Sequence, residues 1–241
     1  RVCENLFKSI IVKGSDAMKP SQNFPKKMLA TCLLAGLMSQ TIAGNLSNFN
    51  TLNQTEFSSL SKDIAAATST KPIEPAASMG VAGFDISGST AVTQTQASTA
   101  WSKVTGSDTK HLPQIKLSAT KGLPGGVDIG VYTAKLSSTN ITANGIHAKY
   151  ALISGNTAMP AVALRASHSR MSGVSQMTLN NTSYDVLISK GFVGFTPYAG
   201  VGTVRSTVDA KGVATLSGES FSQQKTFVGA SWNVLMLNLS G

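Results

Sequence analysis

Apolar and polar residues alternate with a period of two over most of the C-terminal two thirds of the chain. Within residues 127–132, for example, Val127, Ile129 and Val131 share one face, and Asp128 lies on the other. Such a period is typical of β-strands whose two faces meet different environments. The pattern predicts eight strands, at residues 79–96, 112–122, 126–137, 140–154, 160–171, 176–190, 194–207 and 224–235.

One face of nearly every predicted strand is aliphatic or aromatic, whereas the other collects ionisable side chains. In a water-soluble β-sandwich, the charged face would meet water and the apolar faces would form a shared core. In a transmembrane β-barrel, the apolar face would contact lipid and the charged face would line the lumen. The charged candidates for a lumen are Asp85, Lys116, Asp128, His147, Lys149, Arg165 and Asp185.

Strand length and loop length favour the barrel. Each predicted strand has at least 11 residues, whereas strands in soluble sheets have about 5 to 6 and tilted membrane-spanning strands need roughly 9 to 11. The longer polar connections lie at 97–111, at 172–175 with the neighbouring 180–182, and at 208–223. The tight turns lie at 123–125, 155–157, 191–193 and 235–237. Long and short connections thus alternate, as in membrane barrels, with the short connection 137–140 as an exception. The sequence therefore predicts an all-β, antiparallel up-and-down transmembrane β-barrel with eight visible strands and a short N-terminal helix.

The first 43 residues have the pattern of an export signal. Three lysines near Met18 precede an apolar run at 28–38, and small residues follow at 41–43. This order predicts a cleaved signal peptide at residues 18–43. Residues 1–17 precede that initiator methionine, and we interpret them as upstream mistranslation.

Residues 44–78 form the predicted N-terminal segment of the exported chain, and they contain one helical pattern. Apolar residues recur at spacings of three and four after the candidate caps Asn53 and Thr55, at Phe57, Leu60, Ile64 and Ala67, which predicts a short helix. The helix fits either a plug inside the barrel or a periplasmic lead-in that packs its apolar stripe on a neighbouring surface. We predict the lead-in, followed by the barrel domain at residues 79–241.

Net charge and cysteine content argue against several classes of partner and cofactor. The formal net charge is +9, but residues 1–43 contain six Lys/Arg and two Asp/Glu, so removing this net +4 leaves +5. The remaining cations are spread singly along the chain, which argues against a nucleic-acid partner. Both cysteines, Cys3 and Cys32, fall in the leader, and the three histidines lack metal-ligand spacing. We therefore expect no cofactor, no metal and no disulfide.

Four segments carry a family resemblance: residues 83–88, 121–130, 189–192 and 196–202. They are similar to segments of uncharacterised proteobacterial outer-membrane β-barrel proteins, and the likeness covers about residues 54–241. The resemblance implies residence in the cell outer membrane of a Gram-negative bacterium, contact with outer-membrane lipid, and help from periplasmic chaperones and the barrel-assembly machinery. It brings no substrate, catalytic residue or cofactor. Such proteins continue through one more hairpin to a terminal aromatic residue, so we expect ten strands in a complete product and a truncation at Gly241.

We predict a structural outer-membrane barrel or a narrow channel, and not an enzyme. An eight-stranded interior is just filled by side chains, which favours a salt-bridged, largely closed lumen. One alternative is a barrel hydrolase acting on lipid or peptide, with His168 between Ser167 and Ser169 and with Asp108 and Asp209 as loop carboxylates. The other alternative is a secreted, soluble β-sandwich adhesin.

Aromatic and glycine positions give two further expectations. Five aromatic residues are candidate anchors at the membrane interface: Trp101, Trp232, Tyr150, Tyr184 and Tyr198. Gly200 and Gly202 lie within a predicted strand, where glycine permits curvature or the close approach of another group.

Overall fold

The described chain consists of strands joined by turns and two α-helices. The computed structural model describes residues 8–13, 46–137, 139–156, 158–234 and 237–240. The strands are β1 (Lys8–Lys13), β2 (Phe84–Gln94), β3 (His111–Leu123), β4 (Val127–Leu136), β5 (Thr142–Ile153), β6 (Ala161–Ser172), β7 (Met177–Ser189), β8 (Phe195–Ala210), β9 (Glu219–Val234) and β10 (Leu237–Ser240). The helices are α1 (Gln54–Thr68) and α2 (Ser98–Thr105), and single 3₁₀ turns lie at Phe49–Thr51 and Pro124–Gly126.

The eight long strands β2–β9 form one antiparallel meander in which each strand pairs with the next. Because strands twist, this meander curls into part of a barrel. The short strands β1 and β10 lie between its two edges, and the backbone ladder closes through them. The prediction of an all-β antiparallel sheet is confirmed, and the described strands form one curled sheet rather than two packed sheets.

Predicted strand boundaries agree with the structure in the middle of the sheet and differ near its edges. β2 begins at Phe84 because residues 80–83 form a turn, in which the Gly83 amide donates to the Gly80 carbonyl at 2.9 Å. β9 begins at Glu219, so the predicted loop 208–223 shrinks to 211–218. The polar residues 180–182 lie inside β7, in agreement with the predicted strand 176–190. The second interpretation, which extended the connection at 172–175 into these residues, is wrong.

The N-terminal helix is confirmed. The Asn53 side chain accepts from the Glu56 amide at 2.9 Å, and the Glu56 side chain accepts from the Asn53 amide at 3.0 Å. This capping box satisfies two amides that the first helical turn leaves unpaired. The second helix, α2, was not predicted, and it lies within the connection that we expected at 97–111.

The two ends of the curled sheet differ in their connections. At one end, called the helix end here, lie α1, α2 and the connections 95–110, 137–141, 173–176 and 211–218; at the other, the turn end, lie 124–126, 154–160 and 190–194. The predicted alternation of long and short connections is weaker than expected, because 173–176 is shorter than 154–160. Among the described residues, no helix has both the length and the apolar composition needed to cross a bilayer.

An apolar cluster, called the helix-end core here, fills the inside of the sheet beneath α1 and α2. The predicted apolar stripe of α1 is completely buried in it, and the rings of Phe49 and Phe57 meet edge to face at 6.4 Å. The larger members are Phe49, Phe57, Leu60, Ile64, Trp101, Val104, Leu112, Leu136, Ile141, Met171, Met177, Leu179 and Val208. Burial of these side chains gives the helix end the organisation of a water-soluble domain.

The predicted signal peptide at 18–43 lies outside the described residues, as do both cysteines. Part of the stretch 1–17, which we expected to lie outside the fold, is described as β1. It pairs with β2 on one side and with β10 on the other. Its origin by upstream mistranslation stays a prediction.

Candidate functional site

The charged residues predicted to line a lumen are concentrated on the enclosed face of the sheet. Six of them are buried, namely Lys116, Asp128, His147, Lys149, Arg165 and Asp185. Asp85 is half-buried at the start of β2. Large apolar side chains point the other way on the same strands and are exposed; they include Ile86, Leu117, Val131, Ile146, Tyr150, Leu164, Tyr184, Val186, Val201 and Trp232. We call this exposed band the outer belt.

A segment of the chain itself occupies the space between the buried charges. The internal segment, residues 69–79, follows α1 and has no regular secondary structure. It starts at the helix end, contacts inward side chains along its length, and reaches β2 through the turn at 80–83 at the turn end. We predicted a lead-in outside the barrel, and this placement corrects that prediction. An apolar stripe in α1 could not reveal it, because a helix packs such a stripe equally well outside or inside.

Lysine side chains satisfy the backbone carbonyls of the internal segment. Lys149 donates to the carbonyls of Pro75 at 3.0 Å and Ala77 at 3.1 Å. Lys225 donates to the carbonyl of Thr70 at 2.9 Å. A buried irregular segment needs such partners, because a buried carbonyl without a hydrogen bond is costly. The ammonium groups therefore bind backbone.

Carboxylates and hydroxyls satisfy the amides at the far end of the internal segment. Asp128 accepts from the hydroxyl of Ser78 at 3.0 Å and from the amide of Met79 at 3.1 Å. The amide of Ala76 donates to the hydroxyl of Ser189 at 3.0 Å. Pro72 and Pro75 have no amide hydrogen, so they reduce the number of donors to be satisfied.

Glu74 is the one acidic side chain of the internal segment, and two cations hold it. Its carboxylate lies 3.2 Å from Arg165 Nε and 3.5 Å from Lys149 Nζ, and its side chain is 21% exposed. Burial alone would raise the pKa of this carboxyl, but the attraction of Lys149 and Arg165 prevails and lowers the pKa to about 2. Glu74 thus stays ionised over the ordinary pH range and pins the segment to β5 and β6.

A second ion-pair group lies on β6, β7 and β9. The carboxylate of Asp185 lies 2.8 Å from Lys225 Nζ and 3.7 Å from Arg165 Nη1. Asp185 is directly opposite Gly202 on β8, and a Cβ at that glycine would collide with the Asp185 carboxylate. The predicted close approach at Gly202 is confirmed, and the group that approaches is a carboxylate with its two cations.

A carboxylate on α1 that the sequence analysis missed joins the two helices. Buried Asp63 accepts from the amide of Gln96 at 2.9 Å, from the amide of Ala97 at 3.0 Å and from the indole Nε1 of Trp101 at 3.0 Å. It therefore satisfies backbone amides at the start of α2. One Asp among polar helix residues is the ordinary composition of a solvated helix face, so the sequence carried no signal for this role.

A small cavity lies beside the internal segment. A cavity of about 20 Å³ lies among Lys116, Tyr132, His147, Arg165 and Glu74. That volume holds about one water molecule. His147 contacts the Thr120 hydroxyl at 3.2 Å across this part of the interior. In the described part of the chain, the small cavity and the surrounding contacts are those expected of a salt-bridged interior, and they do not form an open path between the two ends of the sheet.

The residues of the alternative hydrolase are not brought together. His168 is exposed on the outer face, where its Nδ1 lies 3.0 Å from the Thr182 hydroxyl, whereas Ser167 and Ser169 are buried on the inner face. Neighbouring residues of a strand point to opposite faces, so sequence adjacency separates these side chains. The loop carboxylates are exposed elsewhere: Asp108 lies 3.8 Å from Lys110, and Asp209 is near the end of β8.

Two of the five predicted interface anchors are wrong. Trp101 is completely buried in the helix-end core, and Tyr198 is buried on the inner face of β8. Tyr150, Tyr184 and Trp232 are exposed on the outer face. The presence of an aromatic residue does not show whether its side chain points inward or outward. That direction depends on the register of the strand that carries it.

Comparison with known proteins gives no assignment. Within the described residues, no group of three or more His, Cys, Asp or Glu side chains is arranged to hold a metal ion. The chain matches no protein-family model, no curated protein and no solved structure.

Proposed function

We propose that this chain is an integral outer-membrane β-barrel protein of a Gram-negative bacterium, with a structural role and an interior closed by its own internal segment. The antiparallel meander supports this proposal, because it gives a barrel its up-and-down connectivity.

The observation that carries the proposal is the inverted distribution of polarity from the middle of the strands to the turn end. Ile146 is 60% exposed, whereas its strand neighbours His147 and Lys149 are 7% and 2% exposed. In water, a continuous apolar band of this kind would favour association. In a bilayer the same band meets acyl chains, and the sheet satisfies its backbone groups internally.

The position of the outer belt sets the orientation. The belt lies toward the turn end, and in outer-membrane barrels the short turns face the periplasm. The helix end then faces outward. On β5 the belt runs from Ile146 to Leu152, about 20 Å along the strand at 3.3 Å per residue, which is less than the roughly 25 Å band of typical barrels. We expect the bilayer to thin around the protein.

A matched pair of substitutions on β7 tests membrane insertion. Val186→Arg places a charge in the outer belt and costs about 2–4 kcal/mol if lipid surrounds it, so it should prevent recovery of the protein from the outer membrane. Asn180→Arg, on the same face nearer the helix end, should be recovered as the wild type is. Fractionation of a Gram-negative host that expresses the full chain measures both. Recovery of the wild type from the periplasm without detergent would contradict the proposal.

Electrical recordings test the closed interior. The wild-type protein in planar bilayers should show no steady conductance, because the internal segment and its ion pairs fill the space between the strands. Deletion of residues 46–78 should create a conductance, and far-UV circular dichroism establishes that the deleted protein keeps its sheet. A steady wild-type conductance equal to that of the deletion would contradict closure and favour the narrow channel.

A further inference from the structure

A groove runs across the outer face of the sheet between β5 and β9. Its volume is about 850 Å³, within the roughly 300–1,000 Å³ of ligand pockets. Two rows of cross-strand neighbours form its floor. One row is Ala148, Ala166, Tyr184, Thr203 and Gln224, and the other is Tyr150, Leu164, Val186, Val201 and Thr226. The small exposed side chains of Ala148 and Ala166 lie next to each other, with Tyr184, Tyr150 and Leu164 beside them, which makes the floor concave.

Two arginines and a histidine lie directly beyond the groove on the side of the helix end. The next row of outward residues contains His168 and Arg205, one on each side of Thr182, and the row after it contains Arg170 beside Asn180. His168, Arg170 and Arg205 are exposed. Within the described chain, neither arginine side chain has a hydrogen-bond or ion-pair partner. We call these three residues the basic patch.

The geometry of the basic patch suits one phosphate group. Arg170 and Arg205 are two strands and one row apart, so their Cα atoms are separated by about 12 Å at the usual strand and residue spacings. Two arginine side chains can reach across that distance to a shared anion, and guanidinium groups bind phosphate with paired hydrogen bonds. The nearest outward carboxylate on these strands is Asp209, four residues beyond Arg205. The patch therefore carries unopposed positive charge.

We infer that the groove and the basic patch together form a binding site for one lipid of the outer leaflet whose phosphate gives it a net negative charge. An acyl chain lies in the groove over Ala166 and Leu164, and the phosphate lies against Arg170 and Arg205. The inference rests on the proposed function, because it needs the outer belt to face lipid and the helix end to face outward. Charge complementarity selects the lipid class, since an apolar groove alone would accept any acyl chain.

Native mass spectrometry of the full chain in dodecylmaltoside tests the site. The probes are dipalmitoyl phosphatidic acid, dipalmitoyl phosphatidylcholine and inorganic phosphate. The wild type should retain phosphatidic acid at least tenfold better than phosphatidylcholine, and inorganic phosphate should not displace it. The double variant Arg170→Gln/Arg205→Gln should bind phosphatidic acid about tenfold more weakly.

Two controls make the result specific. Lys110→Gln/Lys211→Gln removes the same charge from exposed loop positions at the helix end and should change retention by less than twofold. Ala166→Phe fills the groove without changing charge and should weaken retention about tenfold. Equal retention by the two charge variants, or retention unaffected by Ala166→Phe, would overturn the inference.

The outcomes separate this inference from the proposed function. If the wild type is recovered from the outer membrane but Arg170→Gln/Arg205→Gln retains phosphatidic acid as well as the wild type, the lipid site is wrong and the barrel stands. If inorganic phosphate displaces the lipid, the site binds a free anion and the inference is overturned. Recovery of the wild type from the periplasm overturns both.

Discussion

The helix end and the turn end of the same strands have opposite arrangements of polarity. On β7, Leu179 is completely buried at the helix end beside outward Asn180, whereas Asp185 is buried at the turn end beside Val186, which is 47% exposed. The direction of the side chains does not change between these positions, since odd-numbered residues point inward throughout β7. What changes along the strand is the type of residue on each face. The helix end has polar side chains outside and apolar contacts inside, and the turn end has the reverse.

This comparison explains why buried charges are tolerated at one end. A buried ion pair is costly to form, and it stabilises a fold when each charge is also hydrogen-bonded. At the turn end, Lys149 has two carbonyls and two carboxylates around it. The internal segment supplies three of these four partners. The segment and the charges therefore depend on each other.

The largest loss of folding free energy is expected from removing the Lys149 ammonium group, which lies between the internal segment and the inner face of the sheet. Lys149→Met leaves Asp128 and Glu74 without their shared partner, and breaking a buried pair costs about 3–5 kcal/mol. Lys135→Met, at an exposed outward position of β4, should change the free energy of unfolding by no more than about 0.5 kcal/mol. Guanidinium unfolding in detergent, followed by circular dichroism, compares them. Similar losses for both variants would show that the interior ion pairs do not stabilise the fold.

A pair of truncations on β7 compares the two ends directly. Leu179→Ala opens a cavity in the helix-end core and should cost about 2–5 kcal/mol. Val186→Ala removes methyl groups that face detergent and should cost no more than about 0.5 kcal/mol. The same unfolding assay measures both. A larger loss from Val186→Ala would mean that protein, and not detergent or lipid, covers the outer belt.

The hydrogen bonds that Asp63 accepts between α1 and α2 should contribute less to the free energy of unfolding. Their loss should affect only the helix end. Asp63→Ala removes the acceptor of two amides and the Trp101 indole, and the loss is about 2 kcal/mol at the scale of unsatisfied buried donors. Hydrogen exchange should accelerate in α1 and in residues 95–105, with little change in β5 to β7. Uniform acceleration over the sheet would contradict a local role.

The last effect concerns pH and the internal segment. The folded pKa of Glu74 lies below its ordinary value of 4.5, at about 2, so its stabilisation is complete above pH 4.5 and is lost as the pH falls toward 2. Hydrogen exchange of residues 69–79 should therefore rise between pH 4.5 and 2, after correction for intrinsic rates. Glu74→Gln should lack this dependence. An identical pH profile in the variant would assign the change to other groups.

The strands and the faces of their residues could be predicted from the sequence, because a period of two is a local property. Val131 and Asp128 need no knowledge of distant residues to be placed on opposite faces. The partners of the charges could not be predicted in the same way. Lys149 binds the carbonyls of Pro75 and Ala77, which lie more than 70 positions earlier in the chain.

The helix end was harder to predict because its signals depend on tertiary contacts. The α2 sequence contains serine, threonine and valine, which have modest helix propensity, and Asp63 supplies the acceptor for its first amides. Asn180 and Thr182 lie within the predicted strand 176–190, but we also linked them to the preceding connection because polar side chains are common in loops. On a strand that extends past the outer belt, they are ordinary outward residues.

A spin-label scan along the outer face of β7 tests the central claim most directly. With Cys3 and Cys32 replaced by serine, single labels at Asn180, Tyr184 and Val186 are examined by electron paramagnetic resonance after reconstitution into vesicles. We expect collisions with dissolved oxygen to dominate at Tyr184 and Val186, and collisions with a water-soluble nickel complex to dominate at Asn180. Dominant nickel collisions at Val186 would place the outer belt in water and contradict the account.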